Sequence, residues 1–195
     1  SDATNLVAGD GNAATDIFEK NMTDGSITRL SVGPGNVEAN GASTNPARWD
    51  GDVMFESAAS NLLAAPDGNG LVDVFGRRSG TNRRFDVDEN GFAATGGDSR
   101  HIERREGDKL VFDSDATNLV AGDTNGVADS FDNFFGFSFG GSVNVLTLVS
   151  AAVGGGAASG PSRRPTSHTL PGAPFPWGAY ESDATNLVVD DDNGA

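Results

Sequence analysis

The sequence contains no cysteine and only two histidines, which excludes disulfide bridges and thiolate metal sites and disfavours zinc or iron. Basic residues are also scarce, since 13 Lys and Arg stand against 28 Asp and Glu, for a formal net charge of −15. Such a charge repels polyanions, so we expect no nucleic acid partner. Packing, hydrogen bonds and oxygen-ligated ions remain as the sources of stability.

Long apolar runs are missing as well. No stretch approaches the roughly 20 residues needed to span a bilayer, and no basic segment followed by an apolar one opens the sequence. We therefore expect no membrane span. With 27 glycines among 195 residues, the composition favours a turn-rich all-β protein over a helical one.

The strongest signal in the sequence is an internal repeat. The segment SDATNLVAGD occurs unchanged from Ser1 and from Ser114, and the related segments SAASNLLAAPD and SDATNLVVDD begin at Ser57 and Ser182. The segments begin 56, 57 and 68 residues apart, and a repeat of this length is typical of propeller blades or solenoids. The four starts define the repeat units 1–56, 57–113 and 114–181 and the partial unit 182–195.

Each repeat unit also predicts short strands separated by turn residues such as Asp24-Gly25. The predicted strands include ITRLSV from Ile27, VMFES from Val53, KLVFDS from Lys109 and WGAYES from Trp177. Four short antiparallel strands make one blade of a β-propeller. The sequence thus predicts an all-β β-propeller of four-stranded antiparallel blades, with about three blade equivalents in a single domain, 1–195. Three blades are fewer than the usual four to eight, so we expect another copy or a longer chain to complete the ring.

The run SDATNLVAGDTNGVADSF, from Ser114 to Phe131, resembles the bacterial TolB-like, WD40-like β-propeller repeats. The resemblance extends over nearly the whole chain, with a departure at FDNFFGFSFGGSVNVL, where the usual short hairpin is replaced. It implies the propeller fold and a secreted, periplasmic or other cell-envelope location. Propellers carry many functions, so the resemblance implies no particular activity.

Every opening segment leads into the pattern Asp-x-Asn-x-x-x-Asp. Side-chain oxygens at positions 1, 3 and 7, with a backbone carbonyl at position 5, can converge on a hard cation, and calcium accepts such mixed oxygen ligands. The alternative is an Asx-turn, in which these side chains cap backbone groups without an ion. The predicted calcium ligands are Asp10, Asn12, Ala14 and Asp16; Asp67, Asn69, Leu71 and Asp73; Asp123, Asn125, Val127 and Asp129; and Asp191 and Asn193 in the partial copy.

The two histidines, His101 and His168, have no sequence neighbours that complete a catalytic triad, and no familiar hydrolase or phosphate-loop motif occurs. We therefore predict a calcium-binding β-propeller that acts as an extracellular binding or scaffold module, with a protein or glycan partner. One alternative is a structural subunit of a surface assembly or filament, formed by homo-oligomers whose half-blades complete one another. Another is a propeller hydrolase that acts on glycans or peptides.

Overall fold

The computed structural model describes residues 1–49, 51–105, 109–138, 141–168 and 177–190. Within these ranges the backbone forms twelve strands and one 3-10 turn, Pro34–Asn36, and no helix is long and apolar enough to cross a membrane. The strands are β1 (Phe18–Lys20), β2 (Ile27–Arg29), β3 (Ser43–Trp49), β4 (Asp52–Ser57), β5 (Asp73–Arg78), β6 (Thr81–Arg84), β7 (Ser99–Arg105), β8 (Lys109–Ser114), β9 (Asp129–Ser138), β10 (Gly141–Leu148), β11 (Ser162–His168) and β12 (Trp177–Ser182). The prediction of an all-β protein is confirmed.

The chain divides into two compact units, Ser1–Arg84 and Phe85–Ala195. The first unit contains the two-stranded sheet β1-β2 and the four-stranded sheet β3-β4-β5-β6. The second contains the four-stranded sheet β10-β9-β8-β7 and the two-stranded sheet β11-β12. All of these pairings are antiparallel, so the predicted four-stranded antiparallel sheets are present. The boundary between the units falls inside the repeat unit 57–113 and not at either of its ends.

The repeats place the same residues at the same points of their sheets. The serine that begins each opening segment, which at Ser57 and Ser114 also closes a strand, pairs through its backbone with the second aspartate of the Asp-x-Asn-x-x-x-Asp pattern, called here the acidic loop. The pairs are Ser1 with Asp16, Ser57 with Asp73, and Ser114 with Asp129. Equivalent positions of the repeats can therefore be compared directly.

A β-bulge recurs in the edge strands β3, β7 and β11, two residues after the serine with which each begins. The bulge residues Asn45, His101 and Arg164 have φ values of 51°, 52° and 51°, in the left-handed region. Each side chain contacts the acidic residue next to the closing serine of the neighbouring strand. The contacts are Asn45 with Glu56 at 2.8 Å, His101 with Asp113 at 2.8 Å and Arg164 with Glu181 at 3.5 Å.

An aromatic pair lies at the centre of each four-stranded sheet. Phe55 stacks on Phe75 with ring centroids 6.0 Å apart, and Phe112 stacks on Phe131 at 5.6 Å. All four rings are fully buried, and such pairs contribute about 0.5–1.5 kcal/mol beyond the area that they bury. Because β5 and β9 carry Phe75 and Phe131, this packing also fixes the ends of the acidic loops that lead into those two strands.

Candidate metal centre

The acidic loops place their second aspartate deep in the protein. Asp16, Asp73 and Asp129 are at most 1% exposed, and the latter two are the first residues of β5 and β9. A carboxylate taken out of water needs hydrogen bonds or a positive charge, because burial disfavours its charged form. What compensates these three carboxylates therefore decides the chemistry of each loop.

The asparagine at position 3 holds the second aspartate through its side-chain amide. Its Nδ2 donates to that carboxylate at 3.1 Å from Asn12, 3.1 Å from Asn69 and 2.7 Å from Asn125. Its Oδ1 accepts the backbone N–H two residues later, from Ala14, Leu71 and Val127, at 2.9, 2.9 and 3.0 Å. This is the Asx-turn geometry that the sequence left open as the alternative. The structure thus uses position 3 as a brace for the aspartates.

A serine supports the same aspartate in the first and third repeats. Ser31 Oγ donates to Asp16 Oδ1 and accepts the N–H of Ile17 at 3.1 Å. In the third repeat, Ser150 Oγ donates to Asp129 Oδ1 at 2.6 Å and accepts the N–H of Ser130 at 3.0 Å. The second aspartate is therefore held at a fixed position by groups on two sides.

In the first loop, three carboxylates surround an arginine. Asp10, Asp16 and Glu38 each offer an oxygen, and the three oxygens lie within 4.8 Å of one another. Arg29 Nη1 lies 3.4 Å from an oxygen of Asp10 and 3.4 Å from one of Asp16, and it also contacts Glu38. Arg29 Nη2 donates to the carbonyl oxygen of Gly9 at 3.0 Å. The guanidinium supplies positive charge where a metal ion would otherwise be expected.

The second loop contains an arginine in the same role. Arg84 Nη2 lies 2.9 Å from Asp73 Oδ2 and also contacts Asp67, while the guanidinium lies 5.3 Å from the ring centroid of Phe75. Burial raises the pKa of Asp67, but hydrogen bonds with Asp73 and the Asn69 N–H, together with the charge of Arg84, bring it below its usual value. The two aspartates of this loop are therefore compensated by a cation of the chain itself.

The third loop has no such cation. Asp123 is 5% exposed, and neither of its carboxylate oxygens makes a hydrogen bond of normal geometry with the described residues. Within the same part of the chain, no Lys or Arg nitrogen forms an ion pair with Asp123 or Asp129. Burial, followed by the charge of Asp129 and a side-chain hydrogen bond with Asp129, raises the pKa of Asp123 to about 6, and the Asn125 N–H offsets the rise only in part. The carboxyl groups of Asp123 and Asp129 therefore lie together in a buried position without a compensating cation from the described residues.

Strand register identifies what has changed in the third repeat. In each of the three full repeat units, one residue of the outer strand lies opposite the phenylalanine found two positions after the second aspartate. These cross-strand pairs are Arg29 with Phe18, Arg84 with Phe75, and Leu148 with Phe131. The third repeat thus has Leu148 at the position where the first two have arginine.

The structure brings together the two aspartates of each described loop, whereas Asp191 and Asn193 lie outside the described residues. Sequence reasoning missed Arg29, Arg84 and Glu38. A signal for the arginines was present, because arginine is the third residue of ITRL and of NRRF, whereas leucine is the third residue of LTLV, the corresponding segment of the third repeat.

We expect Asp123→Asn to stabilise the metal-free protein. The substitution keeps the side-chain shape and removes a buried charge that no cation of the described residues compensates, a change worth about 1–3 kcal/mol. Because the folded-state pKa of about 6 lies above the usual 3.8, the charged carboxylate destabilises the fold above pH 6, and this penalty disappears as the pH falls toward 3.8. Urea unfolding in excess chelator, near pH 8 and near pH 4, measures both effects.

The exposed Asp183 offers a matched control, since Asp183→Asn should leave the free energy of unfolding within about 0.5 kcal/mol of the parent. An equal gain from Asp123→Asn at both pH values would show that the charge of Asp123 is not the cause.

Comparison with known proteins adds no identification. No family model matches the chain, and no curated protein or solved structure matches it either. The resemblance to TolB-like repeats stays a prediction.

Proposed function

We propose that this chain is a β-propeller-type repeat module that works outside the cytoplasm as a binding or scaffold protein, with calcium as a stabilising ion. Each unit contains one four-stranded antiparallel sheet and one two-stranded sheet, and the matching register of the two four-stranded sheets supports the propeller component. The two-stranded sheet β1-β2 corresponds to the second half of a four-stranded sheet, and β11-β12 corresponds to the first half. Pairs of this kind are what incomplete blades would present to a further copy or to additional chain.

The polar residues that recur in the repeats have architectural roles. Closing serines pair with the first serine of the edge strand at 2.8, 2.9 and 2.8 Å between Oγ atoms. The asparagine of three Asn-Leu segments donates to a backbone carbonyl that precedes the segment in the chain: Asn61 to Glu38, Asn118 to Ala93 and Asn186 to Ala157. The recurring polar residues therefore maintain the same backbone hydrogen bonds in each repeat, and such a structural role suits a scaffold protein.

His101 supports the same view. It hydrogen-bonds Asp113, an arrangement that alone would suggest part of a catalytic triad. The bulge position of His101 is held by Asn45 and Arg164 in the other repeats, and each contacts the equivalent acid. Since three chemically different side chains make one contact, bracing the bulge explains His101 better than catalysis does. The side chain of His168 lies outside the described residues.

A surface cleft that recurs in both units is the observation that carries the binding function. Its volume is about 320 Å³ in the first unit and about 480 Å³ in the second, at the lower end of the range for ligand pockets. Each cleft is formed by three parts of the repeat: a turn, the middle of the opening segment, and an outer strand or hairpin. The contributing segments are 33–36, 62–64 and 80–82 in the first unit, and 88–90, 118–121 and 145–146 in the second.

The lining of the cleft changes between the units. In the first, Arg77 and Asn82 form one side, and Asn82 donates to the carbonyl of Leu62 at 2.9 Å. In the second, the exposed Glu89 lies near Val145, which is 48% exposed. Equivalent backbone segments thus form both clefts while the side chains that line them differ, as expected for a module that binds different partners. For the second cleft, the expected occupant is a protein segment that carries a basic side chain beside apolar ones.

The test is selection of peptides from a displayed random library against the immobilised chain in calcium. We expect enriched peptides with Lys or Arg next to aromatic or aliphatic residues, and at least tenfold weaker binding to the double variant Glu89→Lys, Val145→Asp. The matched control is Glu103→Lys, which reverses an exposed charge on the edge strand β7.

Equal binding of the selected peptides to the parent and to the double variant would show that the second cleft is not the peptide-binding site. A glycan array probed with the same proteins separates a glycan partner from a peptide partner. Release of cleaved glycans or peptides during these assays would favour the hydrolase alternative, and filaments seen by electron microscopy would favour the assembly alternative.

A further inference from the structure

We propose that Asp123 and Asp129 form a divalent-cation site of the calcium type, in which the ion takes the place held by Arg29 and Arg84 in the other repeats. This inference rests on the calcium component of the proposed function and narrows it from three loops to one. The expected stoichiometry among the described loops is therefore one ion per chain.

The internal repeat supplies the comparison. Register places Arg29, Arg84 and Leu148 at one position of the fold, and both arginines contact the two aspartates of their loop. Leu148 offers no charge and no hydrogen-bond donor from its side chain. The aspartates themselves are unchanged, so the third loop keeps the acidic part of the arrangement and lacks its basic part.

The weakly satisfied carboxylate of Asp123, which has no cation and no hydrogen bond of normal geometry among the described residues, gives an independent reason to expect a ligand. Both of its oxygens are buried without a hydrogen bond of normal geometry, whereas Asp129 accepts from Ser150 at 2.6 Å and from Asn125 at 2.7 Å. Buried polar groups are nearly always satisfied, and an exception of this kind points to a missing ion or water. A neutral water would leave the two negative charges uncompensated, whereas a cation would neutralise them.

Burial also indicates the kind of cation. An arginine from another protein would have to open the corner to reach Asp123, but a single ion can enter through a local fluctuation. A divalent ion matches the two carboxylates in charge. Calcium is favoured over magnesium because calcium tolerates irregular oxygen geometry, with the remaining ligands supplied by water or by nearby backbone carbonyls such as that of Val127.

The test is calorimetric titration of the parent chain with calcium chloride, together with thermal unfolding in calcium and in chelator. We expect one ion per chain with a dissociation constant near 10⁻⁴–10⁻³ M, as in extracellular calcium modules. At a hundredfold excess over that constant, the melting temperature should rise by about 5–10 °C.

The decisive variant is Leu148→Arg, which supplies the arginine that the other repeats already have. We expect it to lose calcium binding, with at least a tenfold rise in the dissociation constant, and to melt in chelator at or above the temperature of the parent in chelator. Asp123→Asn should lose binding as well, which keeps the test informative if Leu148→Arg does not fold. The control Thr147→Arg adds the same charge at the neighbouring exposed position and should bind calcium like the parent.

Calcium binding by Leu148→Arg and by Asp123→Asn at the affinity of the parent would overturn the inference. Loss of binding only in Asp10→Asn would assign the ion to the first loop, which overturns the inference but leaves a calcium-stabilised module. A parent chain that binds no calcium would remove both the site and the calcium component, while the peptide-binding test of the cleft would be unaffected.

Discussion

Arg84→Met is expected to cost about 3–5 kcal/mol of the free energy of unfolding in chelator, because it leaves two buried carboxylates without their cation. The Arg84 side chain is 7% exposed, and those of Asp67 and Asp73 are 8% and 1% exposed, so water cannot replace the guanidinium. Methionine keeps much of the packing against Phe75, which confines the change mainly to charge. Urea unfolding followed by circular dichroism measures the loss.

In calcium, we expect Arg84→Met to recover part of this loss, since the second loop would then resemble the third. The matched control is Arg48→Met, which removes an arginine that is 59% exposed and pairs with Glu19 at the surface. Such a pair contributes about 0–1 kcal/mol. If both variants lost equally little stability, the buried arginine would not be compensating the aspartates.

Gly41→Ala should destabilise the protein by about 1–3 kcal/mol or more, through a clash with backbone. A Cβ at this position would lie 2.7 Å from the carbonyl oxygen of Ala58 and 2.9 Å from the N–H nitrogen of Ala59. The corresponding glycines of the other repeats, Gly97 and Gly160, approach the residue after the closing serine just as closely. The glycine therefore permits the backbone that precedes each edge strand to lie directly against the start of the opening segment.

Gly68→Ala is the matched control, because a Cβ at Gly68 would meet no atom within 4 Å and its φ is not positive. We expect a stability equal to the parent or up to about 1 kcal/mol higher, from the reduced entropy of the unfolded chain. Thermal unfolding of the two variants side by side checks the prediction. A similar melting temperature for both would contradict the close approach at Gly41.

Much of the fold could be predicted because the repeat makes each local signal visible several times. The strands predicted from Val53, Lys109 and Trp177 agree with β4, β8 and β12 to within one residue. The division of the chain at Arg84 was not predicted, since it follows from how densely the folded segments contact one another and not from the period of the sequence.

The sequence predicted the positions of the acidic loops, but it did not predict which groups bind their aspartates. Asp-x-Asn-x-x-x-Asp suits both an ion site and an Asx-turn, and only the structure shows that Asn12 and its equivalents donate their Nδ2 to the aspartate. Arg29 and Arg84 reach the loops across strand pairing, and sequence spacing does not reveal which side chain lies opposite which. The bulge at His101 escaped notice for the same reason.

Both arginine-containing corners belong to the unit Ser1–Arg84, and the corner with Leu148 belongs to the unit Phe85–Ala195. One unit therefore carries its compensating positive charge covalently, whereas under the calcium site proposed above the other unit would take that charge from the surrounding medium. Depletion of divalent ions would loosen the second half first and expose it to proteases while the first half stayed folded. Such a protein would be durable where calcium is plentiful and short-lived where it is scarce.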